Sequence, residues 1–393
     1  MKRKFDQMHP PRSRGPPVKE GPLVRRPLLR QAKKCQDKRS PEALGPASSN
    51  SHRRGGMTAR KKQSLREVPK GLSLCQTYRV ALATEQDYTE TYQEVNQFAC
   101  SWPDFSWDFP STADSMLVGL FDDRAMDGVH AGWSGKVFSS IGYFRPEYSG
   151  VMRAMLPRAK AAQAGWKKLT PNRSRLPIPF KLAAALFHTL LTMGRLESGL
   201  IILLCFSLYL RPSEPHRLKC SQVIPPAKGV SGSRHVTIVL NPFEDGRASK
   251  THEYDESLLV DSPLLPALGK ALLKHARGRP LGDPLFKVQQ EEVARDLRDA
   301  SLRLRVPAAL EVVMYKFRHG GASTDFALKH RPLAEVKLRG RWKSDASLRR
   351  YEKGGRLAEQ LFRLGDPLRI HALRCARCVN AVLSGSASPL HAP

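Results

Sequence analysis

The sequence predicts a mainly α-helical α+β protein: a smaller helical domain, then a larger helical domain carrying one small β-hairpin or sheet. Three observations carry this reading. From about residue 76 apolar side chains recur at helical spacing, with Thr89, Tyr92, Val95 and Phe98 on one face ahead of Trp102. Two long apolar runs, Phe180–Met193 and Leu200–Leu210, read as buried helices. Between them and the next helical pattern, His235–Leu240 and Tyr254–Val260 carry β-forming residues around the turn signal Asp245-Gly246. A chain of 393 residues with a 41% hydrophobic share is long enough for two cores plus tails.

Taken in order, residues 1–70 hold 20 Lys/Arg against 5 Asp/Glu, among Pro, Ser and Gly with little periodicity. Such a composition does not build a core, so a disordered basic arm is expected. Met1-Lys2-Arg3-Lys4, Arg53-Arg54 and Lys61-Lys62 fit import into a nucleus, non-specific phosphate contact, or a plain solvated tail. Residues 71–172 form the helical domain, including a second helical stretch from Ser134 to Gln163. Pro171 and Pro177, with Asn172, Arg173 and Arg175 between them, mark the linker. The larger domain spans 173–365. Its apolar run Leu200–Leu210 is well short of the roughly 20 residues a membrane span needs. Amphipathic helices follow over 263–277 and 286–304, the second with Val293, Leu297, Ala300 and Leu304 at i, i+4, i+7 and i+11. Residues 366–393 are expected as a tail whose last stretch, SGSASPLHAP, is disordered.

Charge and cysteine usage narrow the function classes. A formal charge of +29 fits a polyanionic partner. Seven scattered cysteines, an odd number, argue for reduced thiols and an intracellular setting. The first residues have no apolar run behind their charges, so a secretory signal is not expected. Cys375 and Cys378 form a lone CxxC without a second pair, a weak zinc signal. RNP-like aromatic-basic phrases, which would point to RNA, are absent from the sequence.

The most chemically marked stretch is YKFRHGGASTDFALKHRPLAEVKLRGRWKSDASLRRY, from Tyr315 to Tyr351. It holds Arg318-His319, the phrase RGRW ending in Trp342, and Tyr351 nine residues later. Upstream stand Arg211 and Glu214 in LRPSEPHRL and Lys250 in GRASKTHEY. This series resembles the tyrosine recombinases, the family of phage integrases and Cre-like enzymes, over roughly residues 80 to 360. The wording RHGGAS, RGRW and RRYEK looks most like recombinases carried by eukaryotic mobile elements.

The resemblance implies a helical DNA core-binding domain followed by a catalytic domain, DNA recombination or integration, and double-stranded DNA as partner. It implies self-association as a tetramer on DNA. Neither a metal nor another cofactor is expected, nor a membrane. The setting would be the nucleus if the source is eukaryotic, and otherwise the cytoplasm or nucleoid. Arg211 and Arg318 would grip the scissile phosphate, since two guanidinium forks can meet charge on non-bridging oxygens without a metal. Lys250, at the hairpin tip or on its returning strand, suits a general acid. Trp342 would pack against the site and offer its indole N–H. Tyr351 would be the nucleophile, forming a covalent link that keeps bond energy for resealing. Glu214 would orient Arg211, and His319 matches a supporting position. The sequence departs from the family at Tyr315, which stands where a histidine is usual; a phenol is a poor base at neutral pH. Between Lys337 and Arg356 eight Lys/Arg face two acids, so Lys337, Arg339, Arg341, Lys343, Arg349 and Arg350 are expected on a DNA-facing surface. A protein of the same fold that binds DNA without cleaving it is the alternative.

Overall fold

The computed structural model describes residues 67–69, 72–171, 176–227, 234–246, 249, 253–352 and 354–393. The basic arm, apart from 67–69, and the domain boundary expected at 172/173 lie outside the described residues. Leu82–Pro393 groups as one compact unit, mainly helical with one small antiparallel sheet.

Four helices lead: α1 Leu82–Cys100, α2 Pro110–Met126, α3 Gly132–Phe144 and α4 Pro157–Leu169. They close around an aromatic-rich cluster that includes Val95, Met116, Leu117, Leu120, Phe121, Ile141 and Trp166. The single helical stretch expected over 134–163 is instead α3 and α4, separated by Pro146, Gly150 at φ +84° and Pro157. Proline removes an amide donor and clashes with the preceding turn, so α4 begins at Pro157 rather than running through it, after a short helix over Met152–Met155.

Helices α5 Phe180–Thr192 and α6 Leu196–Ser207 then form the centre of a larger cluster. Nearly every side chain of α6 is buried, which is what a helix apolar all round requires. The sheet has the order β1 Val223–Ile224, β2 Thr237–Leu240, β3 Glu256–Leu259. The expected hairpin is the β2–β3 pair, with Thr237 opposite Leu259 and Leu240 opposite Glu256; the two-residue β1 was not foreseen. Gly246 adopts the left-handed φ of +63° that its Asp-Gly signal predicts. Helices α7 Leu268–Ala276 and α8 Gln290–Arg303 follow, and Val293, Leu297, Ala300 and Leu304 are all buried as the periodicity predicts.

Next come α9 Met314–Ala327, α10 Leu333–Arg339, α11 Gly354–Phe362 and α12 Asp366–Ser384. The last corrects an expectation. The segment after 365 is not a tail but a 19-residue helix packed along α5. Leu368, Ala372, Cys375, Val379 and Val382 line its inner face at helical spacing and belong to the main cluster. The final residues are held too: the Leu390 amide donates to His188 Nδ1 at 2.9 Å. Among the described residues no helix is long and apolar enough to cross a membrane.

Candidate active site

Helix α9 is the floor of the site, and two glycines let it lie there. A Cβ on Gly321 would stand 1.8 Å from the Phe206 carbonyl oxygen, and one on Gly320 would stand 2.2 Å from that of Ile178. The RHGGAS phrase therefore permits α9 to touch the end of α6 backbone to backbone. That contact brings Arg318, in the second turn of α9, beneath the turn where Tyr209 (φ +50°) leads into Arg211.

Arg318 is 2% exposed. Its Nη1 donates to the Tyr209 carbonyl and its Nη2 to the Gly340 carbonyl at 2.6 Å, while Nε has no protein partner. Neutral acceptors leave its charge uncancelled. The guanidinium also lies over the Trp342 ring, 5.0 Å from its centroid. Burial, followed by the nearby positive charge of Arg341, pulls its pKa below the usual arginine range.

Tyr351 closes the same pocket. It is 5% exposed, its ring 4.2 Å from Trp342 and 4.5 Å from His319, centroid to centroid. Ser323 of α9 donates from Oγ to the Tyr351 carbonyl at 2.8 Å, tying the tyrosine backbone to the floor. Burial pushes the phenol above its usual range; Arg318 works the other way, and a hydrogen bond with Tyr315 adds to the rise. Tyr315 thus meets Tyr351 directly, and its ring lies 5.1 Å from that of His319.

Arg211 joins through Glu214. Arg211 Nη1 donates to Glu214 Oε1 at 2.8 Å, and its backbone N–H donates to Oε2 at 2.7 Å. Burial works to protonate the Glu214 carboxyl, but Arg341 and then Arg211 outweigh it and hold its pKa below the ordinary value. Arg211 keeps 22% of its side chain exposed, and its charge is felt by Arg318. Arg211, Glu214, Tyr315, Arg318, His319, Trp342 and Tyr351 therefore converge from separate segments of one chain. Lys250 lies outside the described residues.

The expected DNA-facing arginines need correction. Arg339 is 6% exposed and donates to the carbonyls of Ser207 (3.1 Å) and Leu259 (2.9 Å), with Asp261 2.9 Å away. Arg341 has a 5% exposed side chain, forked onto Glu214. Both are interior because carboxylates from distant segments meet them. Lys343 and Arg349 are exposed, Lys337 is half-buried against Asp345 at 2.6 Å, and the Arg350 side chain lies outside the described residues.

Three contributors were missed by sequence reasoning. Tyr209 supplies the carbonyl that holds Arg318, and its hydroxyl donates to Asp325. Asp325 is paired with Arg331, which also meets Asp261 at 2.6 Å and Glu335 at 2.9 Å. Ser323 lies inside a phrase read only as a label. At the far end of the chain, Cys375 Sγ is 3.2 Å from His371 Nε2 on one face of α12. Among the described residues no group of three or more His, Cys, Asp or Glu could hold a metal ion.

No protein-family model matches the chain, and no curated protein matches it.

Proposed function

We propose that this chain is a tyrosine recombinase: it cleaves one DNA strand with Tyr351 and rejoins it to another, through a 3′-phosphotyrosyl intermediate. The observation that carries the reading is the convergence on Tyr351 of Arg318, Trp342 and Tyr315, with Arg211 linked through Glu214 to Arg341, which shares the Tyr209 carbonyl with Arg318. Arg211 and Arg318 meet the non-bridging oxygens of the scissile phosphate as charge builds there. Tyr351 Oη gives its proton to solvent as it attacks phosphorus, and the 5′-oxygen leaves with a proton, for which Lys250 is the donor in this reading. Attack by a different 5′-hydroxyl releases Tyr351 and reseals the strand, so phosphodiester number is conserved and no nucleotide is consumed. Double-stranded DNA is the partner, a tetramer on DNA the working assembly, and the setting the nucleus if the source is eukaryotic, otherwise the cytoplasm or nucleoid. Residues 71–172 would serve as the core-binding domain and 173–365 as the catalytic domain, with α12 as its closing helix.

One observation favours a second reading, a DNA-binding protein that does not cleave. Both Nη groups of Arg318 are occupied by carbonyls, and Tyr351 is buried with its hydroxyl partnered by the Tyr315 phenol. A trapping assay separates the two. Wild type and Tyr351→Phe are mixed in EDTA with a library of nicked duplexes of randomised sequence. A protein–DNA band on denaturing gels, present in wild type and absent in the variant, is expected. Tight binding in gel shift with no such band supports the second reading.

A further inference from the structure

We infer that Arg341 is a positioning residue that locks the two phosphate-facing arginines, Arg211 and Arg318, into one rigid unit. The inference rests on the recombinase reading and deepens it.

The geometry is a shared carboxylate. Glu214 Oε1 accepts from Arg341 Nη1 at 3.0 Å and from Arg211 Nη1 at 2.8 Å; Oε2 accepts from Arg341 Nη2 at 2.8 Å and from the Arg211 backbone N–H at 2.7 Å. A carboxylate has about four lone-pair sites, and these four bonds use them. Glu214 therefore cannot turn without breaking bonds to both arginines. Arg341 also reaches the other half of the site: its Nη2 donates at 3.3 Å to the Tyr209 carbonyl, the same oxygen that accepts from Arg318 Nη1. Thus one buried guanidinium touches the holder of Arg211 and the holder of Arg318.

The backbone around Arg341 serves the same arrangement. Arg341 has φ +56°, a left-handed conformation that non-glycine residues rarely take. A Cβ on the preceding Gly340 would stand 1.9 Å from the Trp342 ring. The turn thereby seats Trp342 against Tyr351 while the Gly340 carbonyl receives Arg318 Nη2. Charge favours the same role. Two guanidiniums share Glu214, and Glu256 Oε2 lies a further 3.6 Å from Arg341 Nη1, so Arg211 is held by a carboxylate that it does not have to itself. A lysine cannot reproduce the fork, because an ammonium is a single point donor group on a flexible stem.

The test uses the full chain and a duplex recovered from the nicked library, made with either a native or a methylphosphonate scissile linkage. The methylphosphonate lacks the negative charge that the arginines meet. On native DNA, Arg341→Met is expected to cleave about 10²-fold more slowly than wild type, the scale of a misplaced catalytic group. Binding of the same duplex, measured in a Tyr351→Phe background, is expected to change by no more than about 3-fold, since only 5% of the Arg341 side chain is exposed. On the methylphosphonate the gap from wild type is expected to shrink below about 10-fold, as it should for Arg211→Ala. Should Arg341→Met fold poorly, Arg341→Lys carries the test, with a smaller loss and the same partial rescue. An Arg341 variant that cleaves at the wild-type rate, or that loses the same factor on both linkages, overturns the inference and leaves the recombinase reading standing. A wild-type lane without covalent product sinks both.

Discussion

The four leading helices and the pocket around Tyr351 are built on opposite plans. Between α1 and α4 the interior is mainly apolar and aromatic, and one of its buried carboxylates, Asp114, is satisfied locally: its oxygens accept the Arg158 and Ala159 amides at 3.0 and 2.8 Å, at the start of α4. Around Tyr351 the interior holds Arg318, Arg331 and Arg339, with Arg341 close behind, against Asp261, Asp325 and Glu214. Apolar contact is non-directional, so the first region asks for volume. Guanidinium forks are directional, so the second asks for particular atoms at particular places. Burying charge is costly unless every charge is met. A chain seldom keeps such an arrangement where a Leu would serve.

The sharpest way to break this comparison is to unpair one charge. Arg331→Met removes the guanidinium shared by Asp325 and Asp261, leaving the first with the Tyr209 hydroxyl and His330 and the second with Arg339, and is expected to cost about 3 kcal/mol in urea unfolding. A comparable loss, about 3–4 kcal/mol, is expected from Leu120→Ala in the apolar region, where the cost is a cavity. The regions separate on conservative changes: Leu117→Met should cost less than about 1.5 kcal/mol, whereas Arg339→Lys, equally modest in size, should cost more because one ammonium cannot replace bonds to Ser207, Leu259 and Asp261.

A pH scan gives the next effect. Burial pushes the His188 imidazole down to about 4, and its Nδ1 accepts the Leu390 amide in the neutral form. The unfolded chain takes up this proton near pH 6.5 while the native one resists until about 4. The stabilisation is therefore full above pH 6.5 and is lost as pH falls from 6.5 to 4, by at most about 3 kcal/mol. Thermal unfolding of His188→Asn should show a flatter slope over that window. The smallest expected stability change is Lys343→Ala, within about 0.5 kcal/mol, since 70% of that side chain is exposed. Under the recombinase reading it should instead lower the salt dependence of DNA binding by about one ion.

Much of the molecule is legible from local pattern. The apolar runs place α5 and α6, the i, i+4, i+7 series places α8, and the turn signal Asp245-Gly246 lies between β2 and β3. The spacing from Trp342 to Tyr351 and the Arg318-His319 pair pick out residues that do meet in space. Helix α12 was legible as well, since Leu368, Ala372, Cys375 and Val379 repeat at helical spacing; the CxxC within it and the polar end beyond it drew the reading toward a tail.

The sequence by itself determined which segments are helical and which residue types a phosphate-handling site would need. Only the tertiary structure decided how one basic run divides. Lys343 and Arg349 face solvent while Arg339 and Arg341, four and two residues before Lys343, turn inward. Local sequence cannot make that choice, because an arginine enters a protein interior only where acceptors await it. Here they come from Ser207, Glu214 and Asp261, about 80 to 130 residues earlier in the chain, and nothing within the run itself records their approach.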